Sequence, residues 1–318
     1  MENTIDCPPV LFIVFNRPEL TQRVFACIRE SRPAKLFVAA DGPRPYRPSE
    51  EQLCAEARKV VAQVDWSCEV LSLFRDENLG CRRAVSTAID WFFTHVPEGI
   101  ILEDDCLPHP LFFRFCEELL EKYRDDERVM QIGGCNFQDG IKRGDGSYYF
   151  SIYNHIWGWA SWRRAWKHYD RDMSLWPVLR GTDWLLNIGS GSKAFQQYWT
   201  TIFDTVHSGK IDTWDYQWTF SCWALSGLTI LPARNLVTNV GFGEGATHTK
   251  DNGGAHANLP LEALEFPLSH PSSMVRNFAA DKLSDRHVFG IGEEAHWKKA
   301  IRKIPAVNIV LRMLRRIR

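Results

Sequence analysis

Short apolar runs alternate with amphipathic stretches over the first 135 residues, and that alternation predicts a fold. Residues 10–15 read as a buried strand closed by Asn16, Arg17 and Pro18, and Pro18 suits the first turn of a helix. In that helix Leu20, Val24, Cys27 and Ile28 share one face. Further strands are expected at 36–40, 69–74, 99–102 and 129–132, with a polar helix over 50–63. After the turn Asn78-Leu79-Gly80, a helix carries Cys81, Ala84, Val85, Ala88, Ile89 and Phe92 at helical spacing; Leu111, Phe112, Phe115, Leu119 and Leu120 mark another. Strands alternating with helices predict an α/β fold, with a mostly parallel central sheet and helices on both faces. Ligands of such sheets gather where the C-terminal ends of the strands open. Arg17, Asp41 and the run Glu103-Asp104-Asp105 each follow a strand, so they are expected to meet although they are far apart in sequence.

Beyond about residue 140 the pattern changes. Ten of the 13 Trp lie between Trp157 and Trp223, among helices and Gly-rich loops such as 241–249. The expected organisation is a ligand-binding α/β half over 1–138, a Trp-rich half of the same domain over 139–296, and a basic amphipathic tail over 297–318. Of the 38 basic residues eight lie in that tail, which has no acid, so a net charge of −1 hides a body that is acidic by nine charges. That balance excludes nucleic-acid binding by bulk charge alone and leaves only a local patch open, and the tail is expected to meet an anionic membrane surface. The nine Cys show no metal-ligand spacing and read as free thiols of a reducing compartment. No signal-like segment opens the chain and no apolar run reaches the length of a membrane span. The expected location is cytoplasmic, with the tail as a peripheral contact on the inner face of the membrane.

The sharpest chemical signal is the acidic run. Adjacent carboxylates repel and are costly to desolvate, so a strand end that holds them wants a cation. A hard divalent ion, Mn²⁺ or Mg²⁺, binds through one or two carboxylates plus substrate phosphates; a solvated acidic loop is the other reading. The stretch LEDDCL lacks the Asp spacing of haloacid dehalogenase phosphatases, and neither a P-loop lysine motif nor a dinucleotide glycine fingerprint occurs.

The ordered segments FIVFNRPE, VAADGP, NLGCRRAVSTAIDWFF, IILEDDCLPHPLFFRF, IWGWASWRRAW and TWDYQW resemble a GT-A glycosyltransferase, in particular the clan of N-acetylglucosaminyltransferase I and its bacterial relatives, over roughly residues 10–250. The resemblance implies a GT-A fold and a metal-dependent, inverting transfer of sugar from a nucleotide-sugar donor, UDP-linked, to a glycan or glycolipid hydroxyl. It implies that Phe15, Asn16 and Arg17 contact the base and diphosphate, that Asp41 bonds the uracil ring, and that Glu103 and Asp104 lie near the donor sugar and ribose. It further implies Asp105 as the metal ligand, Asp215 as the catalytic base, and His248 as a late histidine of the donor loop. Two positions depart from the pattern: Asn16 and Tyr216 stand where the relatives have acids.

Residue chemistry adds a few candidates of its own. Arg82 and Arg83 open a helix after a glycine turn, facing either a donor phosphate or solvent. Aromatic faces stack on sugars, so Trp157, Trp159 and Trp214 are candidates for an acceptor cleft, although most Trp in any protein pack the core. Asp215 among aromatics reads as a base in a cleft or as a helix-capping acid. Two rival functions stay open: a sugar nucleotidyltransferase, which usually carries a Gly-rich loop after its first strand, and a noncatalytic glycan-binding protein on a decayed transferase scaffold.

Overall fold

The computed structural model describes residues 7–242 and 258–292. The first half runs β1 Val10–Val14, α1 Pro18–Ser31, β2 Lys35–Ala40, α2 Glu50–Val61, β3 Glu69–Phe74, α3 Cys81–His95, β4 Glu98–Glu103, β5 Cys106–Pro108, α4 Leu111–Lys122 and β6 Val129–Gly133. The second half adds β7 Tyr148–Ser151, β8 Trp159–Trp162, α5 Arg163–Trp166, α6 Trp176–Leu179, α7 Trp184–Ile188, α8 Lys193–His207, α9 Asp215–Ala224, β9 Leu228–Pro232, β10 Val237–Asn239 and α10 Phe278–His287.

Among the described residues eight strands form one sheet in the order β3-β2-β1-β4-β8-β6-β9-β7. Six of them point the same way; β8 and β7 run against the rest. The expected α/β class, with a mostly parallel sheet covered on both faces, is therefore what the structure shows. The alternation of side chains along each strand decides what covers which face. Val10, Phe12, Val14, Leu36, Val38, Ile100 and Leu102 pack against α1, α2 and α4. Leu11, Phe37, Ala39 and Ile101 pack against α3, α5 and α9. Each of Val24, Phe25 and Ile28 on α1 is fully buried, and each such burial contributes roughly 1.5–3 kcal/mol. A third core joins Ile152 and Tyr153 to α6, α7, α8 and α9. The last helix, α10, is anchored by buried acids: Asp281 accepts from Ser151 and Arg276, and Asp285 from Tyr153 and Lys282.

One feature of this topology positions the site. From β1 the chain builds outward to β2 and β3, then returns to lay β4 on the other side of β1. The connections on the two sides of the β1–β4 boundary diverge, which leaves a crevice at the C-terminal ends of those strands. The β1–β4 register, with Ile13 beside Glu103, brings the two strand ends level.

Candidate active site

Phe15, Asn16 and Arg17 leave β1 at this crevice, and Glu103, Asp104 and Asp105 leave β4 beside them. Asp104 is 2% exposed and is held by the Phe15 N–H at 3.1 Å and by Arg17 Nη2 at 2.5 Å. Arg17 Nη1 donates to Asp105 Oδ2 at 2.9 Å. The guanidinium thus bridges two successive carboxylates. Burial works against its charge, but Asp104 and Asp105 outweigh burial and raise its pKa, so it stays a cation. The cation that the acidic run was expected to need is, in this state, the side chain of Arg17. Glu103 is pushed up, first by burial and then by Asp105 and Asp104, with Arg17 opposing. Asp104 is also raised by burial, against the pull of Arg17.

The ends of β2 and β3 form the next wall. Asp41 accepts from the Leu79 N–H at 3.0 Å and the Gly80 N–H at 3.2 Å, and burial raises its pKa despite those bonds. Arg58 on α2 ties the Asp41 and Arg75 carbonyls together at 3.1 and 2.6 Å. Asn16 donates to Glu50 at 2.8 Å. Glu50, buried at the start of α2, also takes the Arg44 backbone N–H and guanidinium, and Arg44 lies over the Phe15 ring at 5.3 Å. Burial opposes the Glu50 charge, but the bonds from Arg44 and Asn16 prevail and lower its pKa.

Asp215 begins α9 and accepts from the Thr213 hydroxyl. Its charge reaches Glu103. The Cys81 thiol is raised first by burial and then by Glu103, Asp215, Asp212 and Asp41, so those acids lie within electrostatic reach of the start of α3. The structure therefore brings Phe15, Asn16, Arg17, Asp41, Glu103, Asp104, Asp105 and Asp215 to one end of the sheet. Gly241 closes it: a Cβ there would stand 2.4 Å from Asp105 Oδ2 and 2.7 Å from Arg17 Nη1, so no other residue fits without moving the pair.

Other candidates are placed differently. Arg82 turns its guanidinium to the Arg171 carbonyl and Asp172, and the anion at the start of α3 is the carboxylate of Asp212. The amide donors at that helix start are therefore taken by Asp212 in this structure. Trp159 and Trp214 are 0% and 2% exposed and stack on one another beside Trp166 and Trp218. Neither shows a face to an acceptor in this structure: α5 and α9 cover the face of the sheet that bears Trp159, and Trp214 packs into the same core. Trp157 is partly buried, edge-on to Phe137 and Phe242. His248, most of the 241–249 loop and the basic tail lie outside the described residues.

Among the described residues no three His, Cys, Asp or Glu side chains are placed to hold a metal by themselves. The donor set is Asp105, 15% exposed at its side chain, beside Glu103. That set fits an ion shared with substrate phosphates and does not fit a resident ion caged by protein alone.

Arg44, Glu50 and Asp212 carry no sign of the site in the sequence. Glu50 looks like any acid in a first helical turn. Only Gly241, at the head of a Gly-rich loop, carried a usable signal, since glycine marks close backbone approach.

No known protein family matches the chain, and no curated protein does. Among solved structures it is similar to HddC from Yersinia pseudotuberculosis, at 9% identity and TM-score 0.31, over 49% of this chain and 77% of that one. It is also similar to 4-diphosphocytidyl-2C-methyl-D-erythritol synthase from Anaerococcus prevotii, at 9% identity and TM-score 0.30, over 53% and 78%. A UDP-glucose pyrophosphorylase complexed with UDP-glucose follows at 10% identity and TM-score 0.25, over 46% and 63%. Likenesses of this size carry no activity over to this chain. No helix among the described residues is long and apolar enough to cross a membrane.

Proposed function

We propose that this protein is a GT-A glycosyltransferase that moves a sugar from a nucleotide donor, UDP-linked, to a hydroxyl of a glycan or glycolipid. The observation that carries the reading is the Arg17 bridge to Asp104 and Asp105 where β1 and β4 end side by side, with Asp41 at the end of β2 and Asp215 at the start of α9 within electrostatic reach of the start of α3. Uridine would sit against Phe15 and Asp41, with Arg44 and Glu50 shaping that wall. The diphosphate would meet Arg17, whose fork suits phosphate as well as carboxylate. Asp105 would hold a divalent ion against the same phosphates, and such an ion, when bound, neutralises the charge of the departing diphosphate. Asp215 would take the proton of the attacking hydroxyl from the far side of the sugar, which inverts the anomeric centre. Trp157 is left as the aromatic contact for an acceptor, and the basic tail as the contact with an anionic membrane that bears a glycolipid.

A nucleotidyltransferase acts on the same class of molecule. Here α1 begins at Pro18 directly after Arg17, with no space for a Gly-rich loop. One assay separates the readings. The protein is incubated with Mn²⁺, an oligosaccharide mixture and a panel of UDP-sugars, with and without pyrophosphate. Release of UDP that depends on acceptor supports transfer. Release of UTP that depends on pyrophosphate would establish the nucleotidyltransferase, and glycan binding without either nucleotide product would establish the noncatalytic role.

A further inference from the structure

Four successive amide groups at the turn into α3 are held by two acids from opposite halves of the chain. The Leu79 and Gly80 N–H groups donate to Asp41 at the end of β2. The Cys81 and Arg82 N–H groups donate to Asp212 at 2.9 and 3.0 Å, across 131 and 130 residues. Helix starts expose N–H groups that something must satisfy, and Gly80, just before α3, has no side chain to do so. A carboxylate there also suits the positive end of the helix dipole. Gly80 has φ +79°, and a Cβ on it would stand 2.5 Å from Asp212 Oδ2, so the acid is seated flush against the turn.

Asp212 lies three residues before Asp215 in the chain, directly ahead of α9. The Thr213 hydroxyl donates to Asp215, and the Thr213 carbonyl accepts from Gln217 at 2.7 Å. The stretch has little freedom except as a unit, which is fastened to the core by the Trp214 ring and to the start of α3 by Asp212. We propose that Asp212 is a positioning residue: it latches the segment that bears Asp215 onto the turn that Asp41 also grips, and so sets the base at a fixed distance from the donor pocket. The proposal rests on the reading of Asp215 as the base. It also gives a function to the anion seat of α3, which the protein fills with its own carboxylate.

The test is steady-state kinetics of acceptor-dependent UDP release, UDP titration calorimetry and amide hydrogen exchange on wild type, Asp212→Ala and Asp212→Asn. In Asp212→Ala kcat is expected to fall about 10–100-fold, the scale on which a misplacement of ~1 Å acts. The donor KM and the UDP affinity stay within about twofold of wild type, because the latch acts on the transition state and not on donor binding. Exchange at Cys81 and Arg82 quickens in both variants. Asp212→Asn keeps the shape and one acceptor, so it falls between; it is read by the same criteria should the alanine variant not fold. An Asp212→Ala enzyme with wild-type kcat, or one that loses kcat and UDP affinity together, overturns the latch and leaves the functional reading standing. Wild type that turns over no nucleotide sugar overturns that reading and the latch with it.

Discussion

Arg17→Met is expected to lower folding stability by about 3–5 kcal/mol, the scale of a broken buried ion pair. The loss comes from what is left behind. Asp104 keeps only the Phe15 N–H, and Glu103, Asp104 and Asp105 then face one another without a cation. Burial already raises the pKa of Glu103 and Asp104 with Arg17 in place. Acids raised by folding bind more protons in the folded state than in the unfolded one, so stability falls as pH climbs out of the ordinary carboxylate range. Without Arg17 the rise is greater, and the variant loses stability more steeply than wild type between about pH 4 and 8. Urea denaturation at several pH values reads this directly. Millimolar Mn²⁺ is expected to restore part of the loss at high pH. A variant whose midpoint matches wild type at pH 8 would show that the guanidinium does not neutralise this cluster.

The second large effect is on turnover. Asp215→Asn keeps the shape of the side chain and an acceptor for the Thr213 hydroxyl, but removes the proton acceptor. General-base removal costs about 10²–10⁴ in rate, and kcat for sugar transfer is expected to fall within that range while UDP affinity is unchanged. Calorimetry with UDP alongside initial-rate kinetics separates the two. A variant that retains more than a tenth of wild-type kcat would remove Asp215 from the chemistry and return it to the capping role that its place at the start of α9 allows.

Much of the donor-side architecture was legible in the chain because its elements are local. The strands at β1, β2, β3, β4 and β6 are short apolar runs, and each helix between them carries its own amphipathic stripe. Parallel pairing follows from the alternation, and the switch at the β1–β4 boundary then brings Arg17 to Asp104 and Asp105 across 87 and 88 residues. What was not legible depends on contacts with no local trace. β7, β8 and β9 lie in the Trp-rich half, where strands buried on both faces lose their alternation and resemble any other apolar stretch. Asp212 and Glu50 are ordinary surface acids until a fold places a helix start or an Arg44 beside them. Trp159 and Trp214 show the converse: a ring suited to sugar stacking is as well suited to the core, and only the packing of α5 and α9 over that face of the sheet buries these two. The two halves expected on either side of residue 138 share one sheet, in which β8 from the second lies between β4 and β6 from the first.

The central claim is that the strand ends carrying Arg17, Asp41 and Asp105 form one site for a nucleotide diphosphate. Titration calorimetry of UDP into wild type and Asp105→Asn, each with Mn²⁺ and with EDTA, tests it most directly. The account predicts one UDP per chain bound by wild type in Mn²⁺, with affinity weakened at least about tenfold, or ~1.4 kcal/mol, by either EDTA or the substitution, and no further loss when both are combined. Absence of UDP binding by wild type, or equal binding under all four conditions, would contradict it.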